Sequence, residues 1–313
     1  MSKVTQFFRS DRFLQFLLIL SVLLVAGFIV YRINYVRNLN SQQDAYERMA
    51  QEALANRVDL NQPSSESGQG TETEDPDAEP QQPEIDVIAA FLEIEGNQEK
   101  YGEYLLNGVP DFSVLRATNP DIIAYLVLPD SVINYPVLQN ADNSYYLDHN
   151  IDGSTGYPGC LYTETFNSPD FHDPATVIYG HHLTSGGMFS DIEDYLDPAY
   201  MNDHIYYFLY LPNEIQIYEV VMAAKFSNQH LLVNSFYLAD DGLYHFNGFH
   251  GGEGKVIYDM VEAAGMEGNF RAQHAPTEND RMLFWATCFA ARDRRMVVGA
   301  RQITADNIDQ LMN

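Results

Sequence analysis

From Phe13 to Tyr31 the chain is almost wholly apolar, broken only by Gln15 and Ser21. A run of about 19 residues, at about 1.5 Å each, covers about 28 Å, close to the hydrocarbon thickness of a bilayer, so it predicts a membrane-spanning helix over 13–31. A cleaved signal peptide would carry a shorter apolar stretch followed by a small-x-small site, and Ile29 to Asn34 offers none, so the span reads as an uncleaved anchor. Lys3, Arg9 and Arg12 precede it and Arg32 and Arg37 follow, a slight lean toward a cytoplasmic segment 1–12 and an extracellular remainder. Ser41 to Asp44 has the form of a capping box, and 45–58 is rich in helix formers. This predicts a membrane-proximal helix within 32–60, with no apolar face strong enough to imply a partner. Over 61–83 bulky apolar residues vanish and Pro, Ser, Gly, Gln, Thr, Asp and Glu take their place, which predicts a disordered acidic tether.

The remainder, 84–313, has a different texture. Ile85, Ile88, Ala89 and Leu92 follow Pro83 at spacings that share one helical face. From Asn119 onward short β-like runs alternate with turn residues: Ile122–Leu128, Val132–Leu138, Gly159–Thr163, Thr176–Tyr179, Tyr206–Leu211, Ile215–Phe226, Met282–Thr287 and Arg295–Ile303. Between Phe226 and Arg281 the strand signal lapses, and Lys255–Ala264 reads as an amphipathic helix within a long loop. Many short strands with helical insertions predict a mainly β fold, a closed or nearly closed β-barrel with peripheral helices behind the N-terminal transmembrane helix. No internal repeat is present.

Composition changes this picture in two ways. A net charge of −27 over 313 residues repels phosphate backbones and argues against nucleic acid as a partner. Only Cys160 and Cys288 are present, so a disulfide-stapled scaffold is excluded while a single bridge between them stays open. Cys160 reads as a small buried apolar residue.

The chemistry gathers at strand ends. Cys288 closes the run Met282–Thr287, and Arg292, Arg294 and Arg295 follow within seven positions, just before Met296-Val297-Val298. Far upstream, Thr176–Tyr179 ends in Gly180-His181-His182. Cysteine attacks as the thiolate, so it needs a cationic neighbour, and a tetrahedral oxyanion needs a donor. A thiol, an imidazole and an arginine at three strand ends are the parts of a cysteine acyl-transfer site. Each part alone has a plainer reading: a core thiol, a fragment of a metal site, a solvated charge run, and for Trp285 simple packing. A zinc site would need further ligands, which His245 and His250 do not supply convincingly. No cofactor and no metal is expected.

Several segments, in order, resemble the class B sortases, membrane-anchored cysteine transpeptidases of Gram-positive bacteria. They are Asn119–Tyr125, Ile133–Gln139, Asp142–Leu147, Val177–His182 with Met188-Phe189, and Ala286-Thr287-Cys288 with Arg295–Val298. Sortases usually carry Thr-Leu-x-Thr-Cys, and Phe284-Trp285-Ala286-Thr287-Cys288 keeps only its Thr-Cys end. The strand before the histidine usually carries Asp or Arg-Asn features, kept loosely in Thr163–Asn167. The resemblance implies Cys288 as nucleophile, His181 as general acid and base, and Arg295 as oxyanion and substrate-positioning residue, with Arg294 and more weakly Arg292 as alternatives. It implies substrate contacts at Thr287, Tyr179 and His182. The expected partners are secreted proteins bearing a sorting signal, an amine acceptor on a peptidoglycan precursor or a pilin lysine, and membrane lipid around the anchor. Two other readings stay open, a sortase-like binding domain without turnover and a surface thiol hydrolase.

Overall fold

The computed structural model describes residues 11–60, 85–183, 186–288 and 294–311. The expected tether over 61–83, Arg292 and the side chain of Cys288 lie outside the described residues. The chain forms two compact units, Met1–Ala45 and Tyr46–Asn313.

Helix α1 (Asp11–Ala55) is continuous over 45 residues, where the hydropathy pattern suggested a span and a separate short helix. Its first part presents Leu17, Leu18, Leu23, Leu24, Phe28 and Ile29 outward, and it is long and apolar enough to cross a membrane. Within it the Ser21 hydroxyl donates to Leu18 O at 2.8 Å, so that polar group is satisfied inside the helix.

The last turns of α1 belong to the second unit. Tyr46, Met49, Ala50 and Ala53 are buried at i, i+3, i+4 and i+7 spacing, the stripe a packed helix shows. The sequence reading found no such face, because two of its four members are alanine and a third is tyrosine. Tyr46 packs edge-on against Tyr135 with ring centroids 5.3 Å apart, and its hydroxyl reaches Gly159 O at 2.9 Å and Cys160 Sγ at 3.2 Å. Three short helices follow: α2 (Val87–Glu93), α3 (Asn97–Leu105) and α4 (Phe112–Thr118). Asp86 and Asp111 cap α2 and α4 by accepting from Ala89 N and Ser113 N. The buried face of α2 is Phe91 and Leu92; Ile85 precedes the helix, and both it and Ala89 are exposed, against the expected face.

The strands β1 (Ile122–Val127) and β2 (Asn134–Leu138) form a hairpin, followed by α5 (Tyr145–Asp148), β3 (Leu161–Thr163) and β4 (Ala175–Tyr179). A 3-10 turn over Ser190–Leu196 and α6 (Pro198–Asp203) lead into β5 (Tyr206–Tyr210) and the long β6 (Ile215–Ser227). An insertion then carries a small hairpin of β7 (Phe236–Leu238) and β8 (Tyr244–Phe246), helix α7 (Glu253–Ala263) and β9 (Gly268–Phe270). The predicted helix is there, but the strand signal missed three strands of three residues each. The chain closes with β10 (Met282–Cys288) and β11 (Arg294–Gln302).

Strand order is β11-β10-β4-β3-β2-β1-β5-β6-β9, and β11 also pairs with β6, so eight strands close into a barrel with β9 appended to β6. This is the predicted closed barrel. The pairs β2–β3 and β4–β10 are parallel and the others antiparallel. Side chains alternate across each strand. Along β10, Leu283 and Trp285 enter the larger core, while Met282, Phe284 and Ala286 enter a second core with Ile257, Tyr258 and Val261 of α7. Both faces of β10 are therefore covered, which is why it reads as an unbroken apolar run. Trp285 packs as expected, fully buried with its ring 4.3 Å from Tyr207 and 5.5 Å from Phe189.

Candidate active site

Strand direction brings the chemistry together. Because β4 runs parallel to β10, with Tyr179 opposite Ala286, the C-terminal ends of both strands reach the same rim. Because β11 is antiparallel to β10, its first residues start at that rim, and Cys288 lies opposite Arg295 in the ladder. Gly180 N donates to Ala286 O at 3.2 Å, holding the turn that delivers His181. A Cβ at Gly180 would sit 2.4 Å from Leu161 Cδ2 and 2.6 Å from Phe189 Cδ2, so only glycine fits before this histidine.

The rim opens into a cleft of about 320 Å³ lined by Tyr179, His181, Thr287 and Arg295, four of the sequence-predicted site residues. The fifth, Cys288, is placed there by its backbone register. His182 is exposed, bridges Met188 through its backbone and does not line the cleft. Arg294 is exposed at the first position of β11 and likewise outside the lining.

The half-buried His181 donates from Nε2 to Leu147 O at 2.6 Å, and Tyr157 packs against its ring at 4.9 Å. With that proton committed, Nδ1 is the basic nitrogen of the neutral ring. Thr287 Oγ1 is buried with no hydrogen-bond partner among the described residues. Arg295 spends one of its five donors on Asn228 O, from Nη2 at 3.0 Å.

The cleft also holds residues that the motifs did not single out: Asn143, Leu147, Tyr162, Glu164 and His230. Glu164, just after β3, is buried and accepts from the Tyr179 hydroxyl at 2.9 Å, from His230 Nε2 at 3.2 Å and from Asn143 Nδ2. Burial, and next the adjacent Glu164 carboxylate, push the Tyr179 phenol well above its ordinary range, so Tyr179 stays neutral and donates. Asn143 and Leu147 fall within Asp142–Leu147 and Glu164 within Thr163–Asn167, but nothing in the sequence marks His230. The second cysteine, Cys160, is buried, and burial pushes its thiol up to about 12, leaving it a poor nucleophile at neutral pH.

No protein-family model matches the chain. Sortase B of Listeria monocytogenes is 28% identical over 193 residues, which is 61% of this chain and 73% of that protein. Sortase B of Staphylococcus aureus is 32% identical over 95 residues, 30% of this chain and 39% of that protein. The structure of Clostridium perfringens sortase B superposes with a TM-score of 0.52 at 23% identity, covering 62% of this chain and 100% of that one, a likeness of fold. The chain is thus similar in sequence to two sortase B proteins and shares the sortase B fold.

Proposed function

We propose that the chain is a membrane-anchored cysteine transpeptidase that cleaves a sorting signal and passes the acyl group to an amine. The observation that carries this reading is the convergence of Gly180-His181, Thr287-Cys288 and Arg295 at one rim of the barrel, over one cleft. The Cys288 thiolate attacks the carbonyl carbon of a threonine in the signal, forming a C–S bond and a tetrahedral oxyanion. Arg295, with its fixed fork of donors, is suited to hold that oxygen and the substrate backbone. The C–N bond then breaks, the leaving amine takes its proton from His181, and a thioester remains. The incoming amine attacks the thioester, gives its proton to His181, and the thiolate departs as the new amide forms.

Thr287 and the Tyr179 face of the cleft serve in this reading as contacts for the peptide. The apolar part of α1 serves as the anchor, with the catalytic domain on the extracellular side. The acceptor is the amine of a peptidoglycan precursor or a pilin lysine.

Mass spectrometry of the full chain in detergent, incubated with a panel of sorting-signal peptides and an amine acceptor, tests the reading. The expected result is a thioester adduct that is absent in Cys288→Ala, together with an amide product. Release of free acid regardless of added amine would make the chain a hydrolase. No adduct with any peptide, and a Cys288 that resists alkylation, would make it a binding domain.

A further inference from the structure

The arginine at the rim does not stand alone. Arg295 Nη2 donates to the backbone carbonyl of Asn228, in the segment that leaves β6 for the insertion. Two residues on, His230 is held at both ring nitrogens. Its Nδ1 accepts from Leu232 N at 3.2 Å, so in the neutral ring Nε2 carries the proton and donates to Glu164 Oε2 at 3.2 Å. Val233 N donates to His230 O at 3.1 Å, and the next two side chains, Leu231 and Leu232, are buried. The segment is therefore rigid from its ring contact to its backbone.

Glu164 is the fixed point. Its carboxylate is buried in the cleft wall and takes donors from three separate stretches of chain, Asn143, Tyr179 and His230. A carboxylate held this way has little freedom to move, because any donor it gave up would be left unpaired in a desolvated site.

We infer that Glu164 and His230 form a latch that positions the Arg295 guanidinium over the cleft, acting through the Asn228 carbonyl. This deepens the transpeptidase reading and rests on it only for the catalytic consequence. Glu164 and His230 are positioning residues. Neither is required to touch substrate; they set the place from which Arg295 meets the oxyanion.

The pair His230→Ala and His230→Gln tests the latch in the full chain in detergent micelles. Glutamine keeps a donor near the place of Nε2, whereas alanine removes it, and His230 is 40% exposed, so both variants are expected to fold. The first readout needs no turnover. In the nitrogen–proton correlation spectrum of the arginine side chains, the Nε–H signal of Arg295 is identified by its loss in Arg295→Lys. It is expected to move to the position of a free arginine in His230→Ala and to stay in place in His230→Gln. The second readout is the first-turnover rate of thioester formation. It is expected to fall about tenfold in His230→Ala, less than the about 10²–10³ of deleting an oxyanion donor, with half-saturation by peptide little changed. His230→Gln restores the rate, and His230→Ala adds no further loss to Arg295→Ala. An Arg295 signal unmoved in His230→Ala, or losses that multiply in the double variant, would overturn the latch. If the wild type forms no thioester with any peptide, the transpeptidase reading fails while the spectrum still decides the latch.

Discussion

The insertion between β6 and β10 is tied to the barrel near its two ends by two buried glutamates, and the ties differ in kind. At the entry, Glu164 accepts from a phenol, an amide and an imidazole that face the cleft. At the exit, Glu219 on β6 pairs with two arginines, Arg301 Nε at 2.8 Å and Arg271 Nη1 at 2.7 Å, with His274 Nδ1 also at 2.8 Å. Glu219 and Arg301 are almost wholly out of solvent, so this pair lives in the barrel wall, where an uncompensated charge costs most. The tie at the exit locks the fold. The tie at the entry borders the site and sets geometry there.

The comparison can be broken most forcefully at the exit. Glu219→Gln leaves Arg301 buried without a counter-ion and is expected to destabilise the folded chain by about 3–5 kcal/mol, read from the midpoint of denaturant unfolding. A change under about 1 kcal/mol would mean that water or the side chain of Gln310, which accepts from Arg301 Nη1 at 2.8 Å, carries the charge instead. The parallel change at the entry, Glu164→Gln, removes no counter-ion from a buried cation. It is expected to cost about 1–3 kcal/mol, the range for donors left poorly paired, and so to fall clearly short of the exit variant by the same unfolding measurement. Equal losses would erase the distinction between the two ties.

The smallest effect concerns pH. Burial, opposed by Glu219 but reinforced by Arg271 and Arg301, holds His274 below its ordinary value of 6.5. The unfolded chain then binds a proton at His274 more readily than the folded one, so folding stability from this group is full above about pH 6.5 and declines as pH falls through that value. Unfolding midpoints compared at about pH 7.5 and about pH 5.5 are expected to drop more in the wild type than in His274→Asn; equal drops in the two would remove His274 from the exit tie.

Much of the barrel was legible because its strands are local patterns with turn residues between them. Met282–Ala286 reads as one apolar run since both of its faces meet a core, and Ile215–Phe226 predicts all but the last residue of β6. The strands missed in the insertion are three residues long and owe their existence to a partner strand. The packed end of α1 was missed for a related reason. Its key contact, from Tyr46 to Gly159, joins residues 113 positions apart, and alanines score weakly as a face. Within the site, Gly180-His181 and Thr287-Cys288 stand out by their place at strand ends. Glu164 lies in Thr163–Asn167, where the family features are kept only loosely, and His230, 66 positions on, has no local mark at all.

The sequence by itself thus determined the apolar span, the alternation that makes a barrel and the strand-end residues with reactive groups, because each depends on neighbours a few positions away. Only the tertiary structure decided which of those strand ends share a rim, that Arg295 rather than Arg294 faces the cleft, and that one glutamate borders the cleft while the other pairs with arginines in the barrel wall. Those outcomes depend on strand direction, register and closure, and a contact between distant segments exists only once the barrel has closed.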